Sequence, residues 1–275
     1  MINKEALSTA LSALDSLMGL SGPKKKIKEI VAMKQLLEKR AEAGLPTFAF
    51  PYKNMVFTGN HGTGKSLFAR HLGEIYKALG ILSHGHIVEC DRSQLVGGYV
   101  GRTTVKTQKL IDEAMGGILF IDSAENLYRG NSNDFGREAL DTIYRAISDP
   151  GCDLVVIFEG YEKTIEDFLN ANVAIATKVS THIHFDDLTA DILYGVFMKC
   201  IERFKYTITE DARHAVREHF DFVVANKDKW FGNARIATMY FENVASEYVM
   251  RVAESAKSTG FDAMPIELCD VTRAK

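Results

Sequence analysis

One eight-residue segment constrains the fold of this chain more than any other. Residues 59–66 read Gly-Asn-His-Gly-Thr-Gly-Lys-Ser and match the pattern G-x-x-x-x-G-K-[ST]. The segment follows the short apolar run 55–57 and precedes a helical pattern that begins near Lys65. A glycine-rich loop between a buried strand and a helix directs backbone N–H groups and the helix N-terminus at a phosphate. The sequence therefore predicts a P-loop nucleotide-binding domain.

The P-loop predicts ATP and Mg²⁺ as ligands. Lys65 is expected to supply a positive charge to the β- and γ-phosphates, and the Ser66 hydroxyl to ligate Mg²⁺. Asp122 follows the apolar run 118–121 and is expected to hold the metal through water. The other expected nucleotide contacts in this loop are Gly59, Asn60, His61, Gly62, Thr63, Gly64 and Leu67.

The pattern around the P-loop predicts an α/β fold. Continuous apolar runs are typical of strands covered on both faces, and their alternation with helical segments indicates a parallel sheet. After Asp187 the strand patterns stop, and amphipathic runs predict a small all-α lid. Residues 4–43 read as helical with a break at 19–23. Strands are expected at 55–57, 86–90, 118–122, 154–158 and 182–185, and the lid helices near 189–204, 209–225 and 233–257.

We expect three parts: an N-terminal helical entry segment (1–45), the P-loop αβα domain (46–187) and the helical lid (188–275). The net charge of −3 gives no basic field for nucleic acid. No apolar run approaches the roughly 20 residues that span a bilayer. Four scattered cysteines indicate neither a zinc site nor a disulfide framework and fit the cytoplasm or an organelle stroma.

Several segments together carry a family resemblance. They are residues 14–20, the P-loop, 91–103, 116–122, 133–139, 153–161 and 232–235. In this order and spacing they resemble the CbbX/CfxQ and stage V sporulation protein K branch of the AAA+ ATPases, which includes the red-type rubisco activases. The resemblance covers about residues 14–240, nearly the whole chain. It implies a five-stranded αβα sandwich with a lid, and hexameric rings with ATP bound between subunits.

The resemblance also implies roles for two residues outside the P-loop. Tyr99 would lie on a loop that faces the central pore and grips a protein client; a plain surface tyrosine is the alternative. Arg235 would be the sensor-2 arginine that reaches the γ-phosphate from the lid; an ordinary helix-surface arginine is the alternative. A third class of function, a small-molecule kinase, is disfavoured by the lid and the entry segment.

Two motifs depart from the family pattern. Where the family has Asp-Glu-Ala, whose Glu activates the attacking water, this chain has Ser123 after Asp122. A hydroxyl without a base cannot take that proton at neutral pH, and a positioned base typically contributes about 10²–10⁴-fold. The two arginines of the family's finger are replaced by Ala176 and Lys178, and lysine lacks the planar fork of arginine. The machinery of hydrolysis is thus expected to be impaired.

A third departure concerns Glu159, where the family usually has a small residue before Gly-Tyr. At the carboxyl end of the fourth strand it could act as a relocated base, or it could simply hydrogen-bond Ser123 or the lid. Two functions follow. The favoured one is a nucleotide-gated regulatory or structural subunit of a ring, built from copies of itself or mixed with an active paralogue. The alternative is an active ATP-driven protein remodeller that uses Glu159.

Overall fold

The computed structural model describes residues 2–99, 101–127, 134–149, 151–229, 231–259 and 264–274, with backbone only at 255–259. The chain divides into two compact units. The first contains Met1–Gly59 and Gly64–Phe185, and the second contains Asn60–Thr63 and Asp186–Lys275. None of the described helices combines the length and apolar character that crossing a bilayer requires.

A five-stranded sheet forms the centre of the first unit. Its strands pair in the order β2-β3-β4-β1-β5, and every pairing is parallel. This confirms the predicted parallel α/β architecture. The strands are β1 (Asn54–Thr58), β2 (Ile87–Cys90), β3 (Ile118–Ile121), β4 (Val155–Gly160) and β5 (Val179–His184).

Helices cover both faces of this sheet. Successive residues of a strand point to opposite faces, so each strand supplies two cores. Phe57 and Phe120 belong to one buried cluster, whereas Val56 and Leu119 belong to the other. The described helices of this unit are α1 (Lys4–Asp15), α2 (Ser21–Glu42), α3 (Lys65–Ala78), α4 (Arg92–Leu95), α5 (Arg102–Ala114), a 3₁₀ turn (Ala124–Leu127), α6 (Gly136–Ser148), α7 (Glu162–Ala171) and α8 (Val173–Ala176).

Two details differ from the sequence prediction. β5 begins at Val179, earlier than expected, because it is an edge strand whose residues alternate between buried and exposed rather than forming an apolar run. The break between α1 and α2 also lies earlier in the chain than expected, since α1 ends at Asp15 and α2 already begins at Ser21. Pro23 lies in the first turn of α2, where its missing N–H removes no helical hydrogen bond.

The second unit is helical around its own core. Its described helices are α9 (Ala190–Arg203), α10 (Glu210–Ala225), α11 (Ala234–Thr259) and α12 (Leu268–Arg273). Thr189 and Thr209 cap α9 and α10 by accepting backbone N–H bonds. Aromatic residues fill the centre, with Phe197 against Phe220 and Phe241. An all-α second unit agrees with the predicted lid.

Candidate functional site

The P-loop leaves the N-terminus of α3 open to an anion. Gly64, the residue before α3, has a left-handed φ of 95°, and no side chain caps the helix. The first turn also lacks an acidic residue. The backbone N–H groups of the first turn and the positive end of the helix dipole therefore suit a phosphate. Gly59 is equally constrained, because a Cβ there would lie 2.3 Å from the Phe185 carbonyl oxygen.

The side chain of Lys65 is buried beside Glu159. Its Nζ lies 2.9 Å from Glu159 Oε1, and the two side chains are 7% and 5% exposed. The same ammonium donates a 2.7 Å hydrogen bond to the Gly59 carbonyl. The P-loop lysine and a carboxylate of the neighbouring strand thus form a buried ion pair.

The strand order explains how Glu159 reaches this place. β4 lies between β1 and β3, and Glu159 pairs with Phe57 while Phe158 pairs with Ile121. The carboxyl ends of parallel strands meet at one edge, so Glu159 stands between the strand that precedes the P-loop and the strand that precedes Asp122. Sequence reasoning placed Glu159 at this edge but missed its pairing with Lys65.

Glu159 also contacts Ser123. Its Oε2 accepts a 3.0 Å hydrogen bond from the Ser123 backbone N–H. Burial, followed by a hydrogen bond shared with Asp122, raises the pKa of Glu159 to about 7, and the Lys65 charge and the Ser123 N–H act in the opposite direction. Both oxygens of this carboxyl group therefore have partners from other segments of the first unit.

Ser123 occupies the turn that follows β3. Its φ is 51°, and its hydroxyl donates a 3.1 Å hydrogen bond to Asp122 Oδ1. Asp122 is exposed, and a cavity of about 540 Å³ opens beside both residues and extends to Gly97 and Gly98. The hydroxyl is thus engaged with the predicted metal-holding carboxylate, and Ser123 brings no carboxylate of its own to this turn.

Glu125 does not take the missing position. Its Oε1 accepts a 3.3 Å hydrogen bond from Thr164, and a Cβ added to Gly160 would lie 2.3 Å from its Oε2. Burial raises the pKa of this carboxyl group. Glu125 therefore packs behind the end of β4 against α7, while the Glu159 carboxylate pairs with Lys65.

The middle of the P-loop belongs to the second unit. Asn60 donates a 2.8 Å hydrogen bond to Asp187 Oδ1, and the Asn233 amide donates to the same oxygen at 3.0 Å. Asn233 also donates to the His61 carbonyl at 3.1 Å and accepts the Leu188 N–H at 2.7 Å. Sequence reasoning missed Asn233 and Asp187. A signal existed in the Gly-Asn pair at 232–233, since asparagine tolerates the left-handed φ of 52° found there.

The remaining predicted site residues lie on surfaces of their units. Tyr99 is 60% exposed, and the guanidinium of Arg102 lies 5.2 Å from its ring centre. The ammonium of Lys178 lies 5.6 Å from the Tyr144 ring centre. Arg235 is exposed in the first turn of α11. Val100 and Asn133, part of the segments that carry the resemblance, lie outside the described residues.

The donor set fits Mg²⁺ held together with a phosphate. Ser66 offers a half-buried hydroxyl at the start of α3, and Asp122 offers an exposed carboxylate. Mg²⁺ usually takes one or two protein oxygens and completes its shell with phosphate and water. Within the described ranges no group of three or more His, Cys, Asp or Glu side chains could hold a metal by itself.

Family comparisons agree with this geometry. Residues 55–186 match the ATPase family associated with various cellular activities, and residues 189–275 match the AAA lid domain. Stage V sporulation protein K of Bacillus subtilis is 32% identical over 94% of this chain and 80% of its own length. A CfxQ homolog of Galdieria sulphuraria is 32% identical over 98% of this chain and 89% of its own. A chloroplastic ribulose bisphosphate carboxylase/oxygenase activase of Cyanidioschyzon merolae is 34% identical over 96% and 85%.

Solved structures show the same fold. The AAA domain of FIGL-1 in complex with ADP superposes with a TM-score of 0.64 at 16% identity, covering 93% of this chain and 80% of that one. At this identity the likeness concerns the fold alone. The P-loop geometry, the lid and the relatives over nearly the full length together show that the chain belongs to the AAA+ ATPases, in the CfxQ and stage V sporulation protein K group.

Proposed function

We propose that this chain binds ATP–Mg²⁺ at its P-loop, hydrolyses it slowly or not at all, and acts as a nucleotide-gated regulatory or structural subunit of a ring. The observation that carries the proposal is the environment of Ser123. Its hydroxyl is bound to Asp122, and its backbone N–H is bound to Glu159. A water beside the γ-phosphate would find a serine where the resemblance puts a glutamate.

The retained parts of the site suit binding. When bound, ATP–Mg²⁺ brings the scissile phosphoanhydride bond and the positive charge of the metal. Lys65 and the open N-terminus of α3 would neutralise and orient the phosphates, and Ser66 and Asp122 would hold the metal. Gly59–Gly64 would lend backbone N–H groups, and Leu67 follows in the first turn of α3. Arg235 as a γ-phosphate contact remains a prediction.

The lost parts concern the chemical step. Without a general base, the rate of hydrolysis is expected to be about 10²–10⁴-fold lower. An arginine finger donated by a neighbouring subunit is worth about 10³–10⁵ where it occurs. The corresponding positions here are Ala176 and Lys178, and the Lys178 ammonium lies over Tyr144 of its own unit. A site that binds ATP but turns it over slowly would favour an assembly held in the ATP state.

Steady-state ATP turnover of the purified chain tests this function, with Lys65→Ala as the background. We expect turnover at that background together with ATP binding by calorimetry at micromolar concentrations. Turnover clearly above the background would contradict the loss of hydrolysis. Failure to bind ATP more tightly than millimolar would contradict the nucleotide-gated role as a whole.

Assembly is the second part of the proposal. AAA+ ATPases typically form rings and act on protein substrates, and the matching relatives include a protein named as a rubisco activase. We propose that ATP promotes self-association of this chain, or its entry into a ring with an active paralogue, in the cytoplasm or a stroma. Light scattering with ATP and without nucleotide measures this. A particle of unchanged mass in both conditions would argue against a homomeric ring and point to the mixed one.

A second candidate function is an active protein remodeller. The observation in its favour is Tyr99, which is 60% exposed on the loop between α4 and α5. An aromatic in this position suits gripping a protein client. Under this function Glu159 would be the base, and Glu159→Gln would abolish a measurable turnover. A Glu159→Gln chain with wild-type turnover would remove the candidate.

A further inference from the structure

The cation that a phosphate needs is already paired in this chain. A lysine ammonium has three N–H donors. One of them points at Glu159 Oε1 over 2.9 Å, and another at the Gly59 carbonyl over 2.7 Å. Both partners belong to the first unit, as Lys65 does. An incoming phosphate would therefore have to take Lys65 from Glu159.

We propose that Glu159 is an internal competitor of the nucleotide phosphates, which lowers the affinity of the P-loop by occupying Lys65 in the nucleotide-free chain. The inference rests on the proposed function, because it concerns ATP at this P-loop. It differs from the relocated base, which requires a carboxylate free to accept a proton from water. Here one oxygen is on Lys65 and the other on the Ser123 N–H.

Two electrostatic effects oppose phosphate binding. Where Glu159 is ionised, separating the pair leaves a buried carboxylate without its cation, and an ion in a buried position is costly unless it is paired. The carboxylate also remains close to the arriving phosphates, and like charges repel strongly where water is excluded. Both effects disappear when Glu159 is replaced by a neutral residue.

The position of Glu159 leaves it little freedom to withdraw. It is the penultimate residue of the central strand β4, whose residues are all buried, and it pairs with Phe57 of β1. The Ser123 N–H fixes the second oxygen at 3.0 Å. Releasing Lys65 would therefore leave the carboxylate near its present place rather than in solvent.

The test compares the affinity of the protein for nucleotides with its affinity for a phosphate chain that carries no adenosine. Isothermal titration calorimetry measures the binding of ATP, ADP and inorganic tripolyphosphate to wild type, Glu159→Gln and Glu159→Ala. Each titration contains Mg²⁺ and is made above pH 7, where Glu159 is ionised. We expect all three ligands to bind about tenfold more tightly to both variants. The affinity for tripolyphosphate should increase by the same factor as the affinity for ATP, because Glu159 competes with the phosphates and not with the adenosine.

Glu125→Gln is the matched control. It removes a carboxylate from the same end of the sheet that contacts Thr164 and not Lys65. We expect its affinities to equal those of wild type. An equal gain in Glu125→Gln would overturn the inference, since the effect would then be one of general charge.

The outcomes separate the inference from the function on which it rests. If wild type binds ATP and neither Glu159 variant binds it more tightly, the inference is overturned and the proposed function stands. If none of the chains binds ATP, both are overturned. Glu159→Ala gives the smaller side chain that the family resemblance associates with this position, so it provides a second folded variant should Glu159→Gln misfold.

Discussion

The side-chain amide of Asn233 donates a 3.1 Å hydrogen bond to the backbone carbonyl of His61. Asn233 is fully buried with a φ of 52°, a conformation that asparagine and glycine accept most readily. We expect Asn233→Gly to keep this backbone while it releases His61 and Asp187. Because the released P-loop backbone must then be ordered by the ligand, ATP affinity should fall about tenfold in calorimetry, roughly 1.4 kcal/mol.

The control for this variant is Arg251→Lys. Arg251 makes a paired contact with Asp270 at 2.8 and 2.9 Å in the same helical unit, and lysine cannot reproduce that fork. It should lower the unfolding temperature without changing ATP affinity. An Asn233→Gly chain that loses stability but keeps its affinity would show that Asn233 serves only the packing of the lid.

Lys65→Ala should destabilise the nucleotide-free chain as well as abolish ATP binding. Above the Glu159 pKa of about 7, the substitution leaves a buried carboxylate without its cation or forces it to take up a proton. The loss should therefore grow with pH toward the roughly 3–5 kcal/mol that is typical of breaking a buried pair from one side. Adding Glu159→Gln should recover most of the loss, because the remaining side chain is neutral. Thermal unfolding of the two single variants and the double variant measures this. Equal unfolding temperatures in Lys65→Ala and the double variant would contradict a buried ion pair.

The raised pKa of Glu159 predicts a pH dependence. Because its pKa is about 7 in the folded chain against an ordinary value of 4.5, the folded state binds the proton more tightly than the unfolded state. The stability contributed by this proton is therefore present below pH 4.5 and is lost as the pH rises to about 7. The unfolding temperature of wild type minus that of Glu159→Gln should fall across this window and level off above it. A difference that is flat, or that rises, would contradict the shift.

Much of the fold could be predicted because its signals are local. The P-loop and strand β3 can each be recognised from a few consecutive residues, the glycines of the loop and the apolar run of the strand. The start of β5 could not be predicted, because Ser180, His182 and His184 face solvent and interrupt the apolar pattern. An edge strand with one solvated face has a weaker hydrophobic pattern in the sequence than a strand that is buried on both faces.

The site was predictable to a lesser degree for a different reason. The sequence places Lys65 at the start of the helix after the P-loop, and Asp122 and Glu159 at the carboxyl ends of their strands. The strand order decides which of these side chains touch. Lys65 pairs with Glu159 because β4 separates β1 from β3. The contact of Asn233 with His61 likewise depends on tertiary packing and has no counterpart in local sequence.

Replacing Ser123 by Glu should not restore hydrolysis by itself. The new carboxylate would lie beside Asp122 and Glu159, and like charges at such distances disfavour each other. Ser123→Glu combined with Glu159→Ala removes that conflict. The ATP turnover of this double variant should exceed that of Ser123→Glu by about tenfold or more, and the upper bound is the roughly 10²–10⁴-fold that a general base contributes. A colorimetric phosphate assay against the Lys65→Ala background measures it. Equal turnover in both variants would show that Glu159 does not obstruct a restored base.

The hydrogen bond from the Ser123 N–H to Glu159 has a historical consequence. If an ancestor carried glutamate at 123 and a small residue at 159, the two exchanges were not independent, since glutamates at both positions would place two like charges side by side. A lineage that had acquired both would not regain hydrolysis by reverting either one singly. The loss of the base would then be hard to reverse by stepwise substitution, and descendants would be retained for what they bind and not for what they cleave.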